Sequence, residues 1–89
     1  MPEVRVVLPP ALLGLFPGCP GELAVAAATV GEAIDAVNAR HPGVRDRLCD
    51  TRPALRRHLS VFVDGARARL DTPLEAGAQM VVMTAISGG

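Results

Sequence analysis

Apolar and polar residues alternate over several short segments of this 89-residue chain, and a period of two residues predicts β-strands. The first alternating segment is residues 3–9, EVRVVLP, and it ends on Pro9 and Pro10, which cannot continue a central strand. Residues 21–28, GELAVAAA, follow a Pro-Gly turn and have the length of a second strand. The first part of the chain therefore predicts a wide hairpin.

The same alternation returns in the last third of the chain. Residues 59–63, LSVFV, run into Asp64 and Gly65, a strong hairpin signal, so residues 66–70 are expected to be the return strand. A turn-rich bridge then leads to residues 80–86, MVVMTAI, which predict the last strand.

One segment has helical periodicity instead. Thr29 followed by Glu32 is a capping box, in which each side chain accepts a hydrogen bond from the other residue's backbone N–H. The apolar residues that follow at helical spacing are Val30, Ala33, Ile34 and Val37. Pro42 ends this helix, so the sequence predicts one amphipathic helix of about a dozen residues.

Two shorter segments are expected to form helical turns that pack on the edge of the core. One is residues 11–16, and the other is residues 44–50, with Val44 and Leu48 pointing inward. The polar residues 51–57 are expected to connect to the next strand.

The order of elements is strand, strand, helix, strand, strand, strand, which indicates an α+β domain. One helix can cover one face of one small sheet, and right-handed crossovers bring the later strands back beside the first. The economical arrangement is a β-grasp, or ubiquitin-like, fold: a mixed sheet of four to five strands with the main helix across one face. We expect this domain to span residues 1–86, with residues 87–89 as a flexible Ser-Gly-Gly tail.

Composition narrows the function classes. Apolar residues make up 49% of the chain and charged residues 20%, which excludes disorder, and no apolar run approaches the ~20 residues of a membrane span. The formal charge of zero argues against a nucleic-acid partner. The N-terminus does not resemble a signal peptide, so we expect a cytoplasmic protein that acts without a membrane.

All nine basic residues are arginine, a bias that GC-rich codon usage explains. Whatever its cause, the absence of lysine prevents the chain from conjugating to itself through a lysine side chain. Cys19, Cys49, His41 and His58 are too scattered for a metal site, and we predict no bound metal.

Side-chain alternation also predicts which residues lie on the face of the sheet away from the helix. If Val61 and Val63 point inward, then Phe62 points outward, and Val81 and Met83 share that face from the last strand. A contiguous apolar patch there would be a candidate partner surface. Alternatively, these are scattered surface residues, or loops cover them.

With this order of elements, three segments of the sequence resemble the MoaD/ThiS family of ubiquitin-like sulfur carriers. They are TVGEAIDAVNARHPG at 29–43, VFVDG at 61–65 and LEAGAQMVVMTAISGG at 74–89. The chain is most similar to carriers of actinobacterial cysteine biosynthesis and secondary metabolism. It departs from the family pattern at Ala78 and over residues 82–85.

The resemblance implies a function for the last residues. A ubiquitin-activating-type (MoeB/ThiF-like) adenylyltransferase would use Mg-ATP to adenylate the Gly89 carboxylate, and a sulfur donor would convert it to a thiocarboxylate. A sulfur-accepting biosynthetic enzyme would then take the sulfur. Gly88 and Ser87 would thread into the partner's active site, since glycine has no side chain to obstruct a narrow channel.

By the same resemblance the chain is a carrier and not an enzyme, has no bound cofactor, and is a monomer when free. The implied docking surface for the partner enzymes consists of Phe62, Val81, Met83 and Ile86.

Three alternatives remain open from the sequence. The chain could be a ubiquitin-like modifier conjugated to proteins through Gly89, because the same tail serves both purposes. It could be a β-grasp binding module whose glycine pair is incidental. It could also be an enzyme with Cys19 or Cys49 as nucleophile.

Overall fold

The computed structural model describes residues 1–49 and 59–84. The strands and helices of these two ranges are β1 (Glu3–Val7), α1 (Pro10–Leu13), β2 (Glu22–Ala26), α2 (Val30–Arg40), α3 (Val44–Leu48), β3 (Leu59–Val63), β4 (Ala66–Ala68) and β5 (Gln79–Thr84). The predictions for residues 51–57, and those for Ile86, Ser87, Gly88 and Gly89, lie outside the described residues.

The five strands form one sheet in the order β2-β1-β5-β3-β4. β1 and β5 are parallel, with Arg5 in register with Gln79, and every other neighbouring pair is antiparallel. The two parallel strands therefore lie side by side in the middle of a mixed sheet, which confirms the predicted β-grasp architecture.

The β3-β4 hairpin turns at the predicted dipeptide. Asp64 and Gly65 both have positive φ, 49° and 88°, as a two-residue turn matching the strand twist requires. The Asp64 side chain also accepts a hydrogen bond from the Gln79 backbone N–H at 3.0 Å, which ties the turn to the start of β5.

Strand β4 is shorter than the predicted 66–70 because the chain leaves the sheet to meet the N-terminus of α2. The carbonyls of Leu70 and Thr72 accept hydrogen bonds from the Gly31 and Val30 N–H groups at 2.9 and 3.1 Å. These are first-turn donors that have no acceptor within the helix. A Cβ at position 31 would lie 3.3 Å from the Leu70 carbonyl oxygen, so the close approach favours glycine there.

Helix α2 begins at the predicted cap, with one difference. The Thr29 hydroxyl accepts a hydrogen bond from the Glu32 N–H at 3.2 Å, but the Glu32 carboxylate accepts from the Ala28 N–H at 2.9 Å and not from Thr29. Ala28 and Thr29 run beside Pro73 and Leu74, where the Leu74 N–H donates to the Ala28 carbonyl. A local capping pattern does not contain this long-range pairing. The hydrogen bond that the Glu32 carboxylate accepts is therefore displaced by one residue, from Thr29 to Ala28.

The core lies between α2 and the inner face of the sheet. The helix contributes the four predicted residues, which are all buried: Val30, Ala33, Ile34 and Val37. The fully buried residues of the sheet are Val4, Val6, Val25, Val61, Met80 and Val82. No polar or charged side chain is buried among the described residues, so apolar packing holds this core together.

The two short helices close the edge of the core. Val44 and Leu48 of α3 are buried, as predicted. Helix α1 ends at Leu13 and not at Phe16, because residues 14–16 continue as hydrogen-bonded turns that leave the α-helical pattern.

An asparagine joins α2 to α3. The Asn38 side-chain oxygen accepts hydrogen bonds from the Gly43 and Arg45 N–H groups, both at 3.0 Å. Gly43 is the N-cap of α3 with φ 102°, and it has no side chain to cap the helix. Asn38 therefore supplies the cap from the preceding helix.

Candidate functional site

Strand β5 carries the chain toward its glycine pair from the middle of the sheet. It pairs with β1 on one side and β3 on the other, and its last residue, Thr84, lies in register with Leu59. β1 pairs with residues 79–81 of β5 and β3 pairs with residues 80–84, so the sheet holds β5 as far as Thr84.

The open face of the sheet carries the three described residues of the predicted docking surface. Phe62 lies opposite Val81, and both are half-buried; Met83 lies opposite Ser60 and is 48% exposed. Met80 and Val82, the alternate residues of the same strand, are buried against the helix. The alternation that predicted an outward direction for Phe62, Val81 and Met83 is thus seen in the structure, whereas their binding role stays a prediction.

A single row of paired residues crosses all five strands on this face, and we call it the open-face row. Its members in strand order are Glu22, Val7, Val81, Phe62 and Arg67. Val7 extends the apolar part of the row, and the sequence interpretation missed it. It joins Val81 through the parallel β1-β5 register, which only the assembled sheet defines.

Charged groups border the apolar centre of the open-face row. At one end the Arg5 guanidinium lies 2.8 Å from the Glu22 carboxylate, and both side chains are more than half exposed. At the other end the Arg67 guanidinium donates to the Ser60 hydroxyl at 2.8 Å. The ion pairs among the described residues do not include Arg67. A partner that covers Val7, Val81 and Phe62 would meet a positive charge at this edge.

The two cysteines contribute little to a nucleophilic site. Burial raises the pKa of the Cys19 thiol, so the reactive thiolate is scarce at neutral pH. Cys49 is 5% exposed, which keeps it from substrate. These observations disfavour the cysteine-enzyme alternative.

The described residues hold no cluster of three or more His, Cys, Asp or Glu side chains that could bind a metal ion. None of the described helices combines the length and the hydropathy needed to cross a membrane.

A family model and a protein of known name are both similar to this chain. The ThiS family model matches residues 16–89. The small archaeal modifier protein 1 of Haloferax volcanii is 34% identical over 62 residues, which cover 70% of this chain and 71% of that protein.

Solved structures agree with this family assignment. A chain of the Amycolatopsis orientalis BexX/CysO complex superposes with a TM-score of 0.86 at 29% identity, covering 97% of this chain and 99% of that one. Mycobacterium tuberculosis CysO shares the fold, with a TM-score of 0.85 at 22% identity over 93% of this chain and 99% of its own. The family model, the relative and the fold all confirm the resemblance: the chain belongs to the ThiS family of ubiquitin-like sulfur carriers and modifiers.

Proposed function

We propose that this protein is a sulfur carrier whose Gly89 carboxylate is adenylated and then converted to a thiocarboxylate. The observation that carries the proposal is the position of β5. A central strand, paired with β1 over its first half and with β3 as far as Thr84, is followed within five residues by the Gly88-Gly89 pair. Family membership supports the same conclusion.

The chemistry requires activation because a carboxylate is a poor electrophile. Transfer of AMP from Mg-ATP onto the Gly89 carboxylate releases pyrophosphate and gives a mixed anhydride with a good leaving group. Sulfide displaces AMP to give the thiocarboxylate directly, whereas a persulfide displaces AMP to give an acyl disulfide, from which a second thiol releases the thiocarboxylate and itself becomes part of a disulfide. The thiocarboxylate is a soft nucleophile, and its sulfur displaces a leaving group from the acceptor to form a thioester. Water then hydrolyses this thioester, which leaves the sulfur on the acceptor and regenerates the Gly89 carboxylate.

In this proposal the protein supplies a folded domain that its partners bind, and the partners supply the catalytic groups. Each reaction takes place in a partner's active site, so contacts with the folded domain position one reacting carbonyl group. We assign the activation step to a MoeB/ThiF-like adenylyltransferase and the last step to a biosynthetic enzyme. A related chain occurs in the BexX/CysO complex, which supports a carrier that binds another protein.

The open-face row is the proposed docking surface for these partners, together with Met83. Its apolar centre faces away from the core, and interface centres are typically apolar with a polar rim. Arg67 and the Arg5–Glu22 pair would form that rim.

A second candidate function is protein modification through Gly89. A relative that is 34% identical over 62 residues is named a modifier. An adenylated carboxylate can react with a lysine amine as well as with sulfur. This chain has no lysine, so it could be joined to other proteins but could not form lysine-linked chains of itself.

One experiment separates the two functions. The purified protein is incubated with a candidate adenylyltransferase, Mg-ATP and a sulfur source, and its intact mass is measured. A carrier gains the mass difference of one oxygen replaced by sulfur, and deletion of Gly89 abolishes this gain. An unchanged mass with every activating enzyme tested would contradict the proposal, and conjugates in cell extract that disappear on the same deletion would favour the modifier.

A further inference from the structure

A groove of about 250 Å³ lies beside the end of β5, on the opposite side from the open-face row, and we call it the tail-side groove. Eight of the described residues, from α1 and the residues that flank it, α3, β3 and β5, line this groove: Pro9, Ala11, Leu12, Leu15, Arg47, Leu48, Leu59 and Thr84. Six of these are apolar, and Arg47 is the only charged one. The described wall of the groove is therefore mainly apolar and carries one positive charge.

Exposure of large apolar side chains points to this part of the molecule. Among the described residues, Met1, Leu15 and Met83 are the exposed large hydrophobics, and Leu15 is 54% exposed. Met83 and Leu15 lie on either side of the point where the chain leaves Thr84. Contact with a partner that approaches the tail would explain why both apolar side chains are exposed.

Tail length requires a partner to come close to the groove. The five residues that follow Thr84 span at most about 18 Å when fully extended. Adenylation takes place at the carboxylate of the last residue, so the active site must approach Thr84 within that distance. Thr84 is itself part of the groove wall, and the entrance of the active site must lie near it.

Charge gives the chemistry of the expected contact. Arg47 is exposed, and no ion pair among the described residues includes it. The described residues that line the groove include no acidic side chain. A carboxylate on the partner would therefore find an available guanidinium beside an apolar recess, a geometry that suits charge-assisted hydrogen bonds.

Building on the proposed function, we infer that the tail-side groove is a second docking site for the adenylating enzyme, which inserts an apolar side chain against Leu15 and a carboxylate against Arg47. The enzyme would thus hold the base of the tail from both sides: the open-face row and Met83 on one, the groove on the other. Two contacts on either side of Thr84 would restrict the direction in which the tail leaves.

The test compares kcat/KM for carrier-dependent pyrophosphate release between the wild-type protein and Leu15→Ser and Arg47→Glu variants. We expect at least a tenfold loss in each, mostly through a higher KM, because the groove binds the enzyme without touching the reacting atoms. Higher salt should weaken the wild-type interaction more than that of Arg47→Glu. Arg69→Glu makes the same charge change on an exposed residue outside both docking sites and should leave kcat/KM unchanged.

Wild-type behaviour separates the two proposals. If no enzyme activates the wild-type protein, the proposed function fails; if the wild type is activated and both groove variants match it, the groove inference alone is overturned. Three other results would also overturn the inference. Faster activation of the variants would mean that the groove holds the tail itself, and unchanged activation with slower sulfur transfer would mean that the acceptor enzyme binds there. A changed oligomeric state of the variants would mean that a second copy of the chain binds there. Circular dichroism of each variant verifies that the fold is intact.

Discussion

At the scale of single residues, the alternation along β5 separates packing from recognition. Val82 is 2% exposed and its neighbour Met83 is 48% exposed, although both side chains are apolar. Val82 lies on the face of the sheet that the helix covers, and its burial there stabilises the domain. Met83 has no such packing role, so a change at this position tests the docking surface without disturbing the core.

We predict that Met83→Asp lowers kcat/KM for adenylation about tenfold or more, because a charge would be desolvated at an apolar interface. The urea midpoint of the variant should stay close to that of the wild type. Gln79→Glu adds a charge on the same strand and face, at the end far from the tail, and is the matched control. Loss of the fold in Met83→Asp, or equal kinetic effects of the two variants, would show that Met83 does not belong to a docking surface.

The open-face row also shows what the sequence can and cannot predict about single positions. Phe62, Val81 and Met83 could be placed from alternation because the pleat alone decides on which side a strand residue lies. Val7 could not, since its contact with this patch depends on the parallel register of β1 and β5, two strands that are distant in sequence. Arg67 and its hydrogen bond to Ser60 depend in the same way on hairpin register.

At the scale of elements, the connection between α2 and α3 depends on one side-chain oxygen. Asn38 caps a helix that its own N-cap residue, Gly43, leaves uncapped. This corner positions Leu48 and Arg47 of α3, which line the tail-side groove. The stability of the corner is therefore linked to the geometry of the second proposed docking site.

We predict that Asn38→Ala destabilises the domain by about 1–3 kcal/mol, because two partly buried N–H groups lose their acceptor. Asn38→Asp retains the oxygen atoms and should cost clearly less. Urea unfolding followed by circular dichroism measures both variants. Equal losses would show that the effect comes from side-chain volume and not from the two hydrogen bonds.

Element boundaries were predicted less well than element types, because contacts between distant segments of the chain move the boundaries. The capping pattern located the start of α2, but the Glu32 bond moved by one residue because Ala28 pairs with Leu74. Strand β4 ends early because the carbonyls that follow it serve the first turn of α2. Both differences come from contacts between segments about 40 residues apart, which a local pattern does not contain.

At the scale of the whole molecule, the first strand begins and the last strand ends at opposite ends of the sheet. Because β1 and β5 are parallel, the start of β1 lies beside the start of β5, and Thr84 lies at the other end of the sheet. Additions at Met1 are therefore far from the docking surfaces, whereas additions after Gly89 change the proposed reacting group itself.

We predict that a two-residue extension after Gly89 reduces thiocarboxylate formation below detection, because it replaces the reacting carboxylate and lengthens the threaded segment. The same extension placed before Met1 should leave the reaction unchanged. Intact mass after incubation with the activating enzyme measures both, and thermal unfolding should be the same for the two proteins. A C-terminally extended protein that still gained sulfur would contradict the role of Gly89.

The parallel pairing of β1 and β5 has a mechanical consequence. A force that pulls on the two ends of the chain draws these strands past each other and loads their hydrogen bonds together, in shear and not one after another. The Arg5 to Ala78 bond, at 2.9 Å, is among the backbone bonds at this junction. A protein pulled by its tail, as by an unfolding motor that grips the last residues, would therefore resist through the middle of its sheet, and its survival would depend on its forced unfolding rate and not on its equilibrium stability.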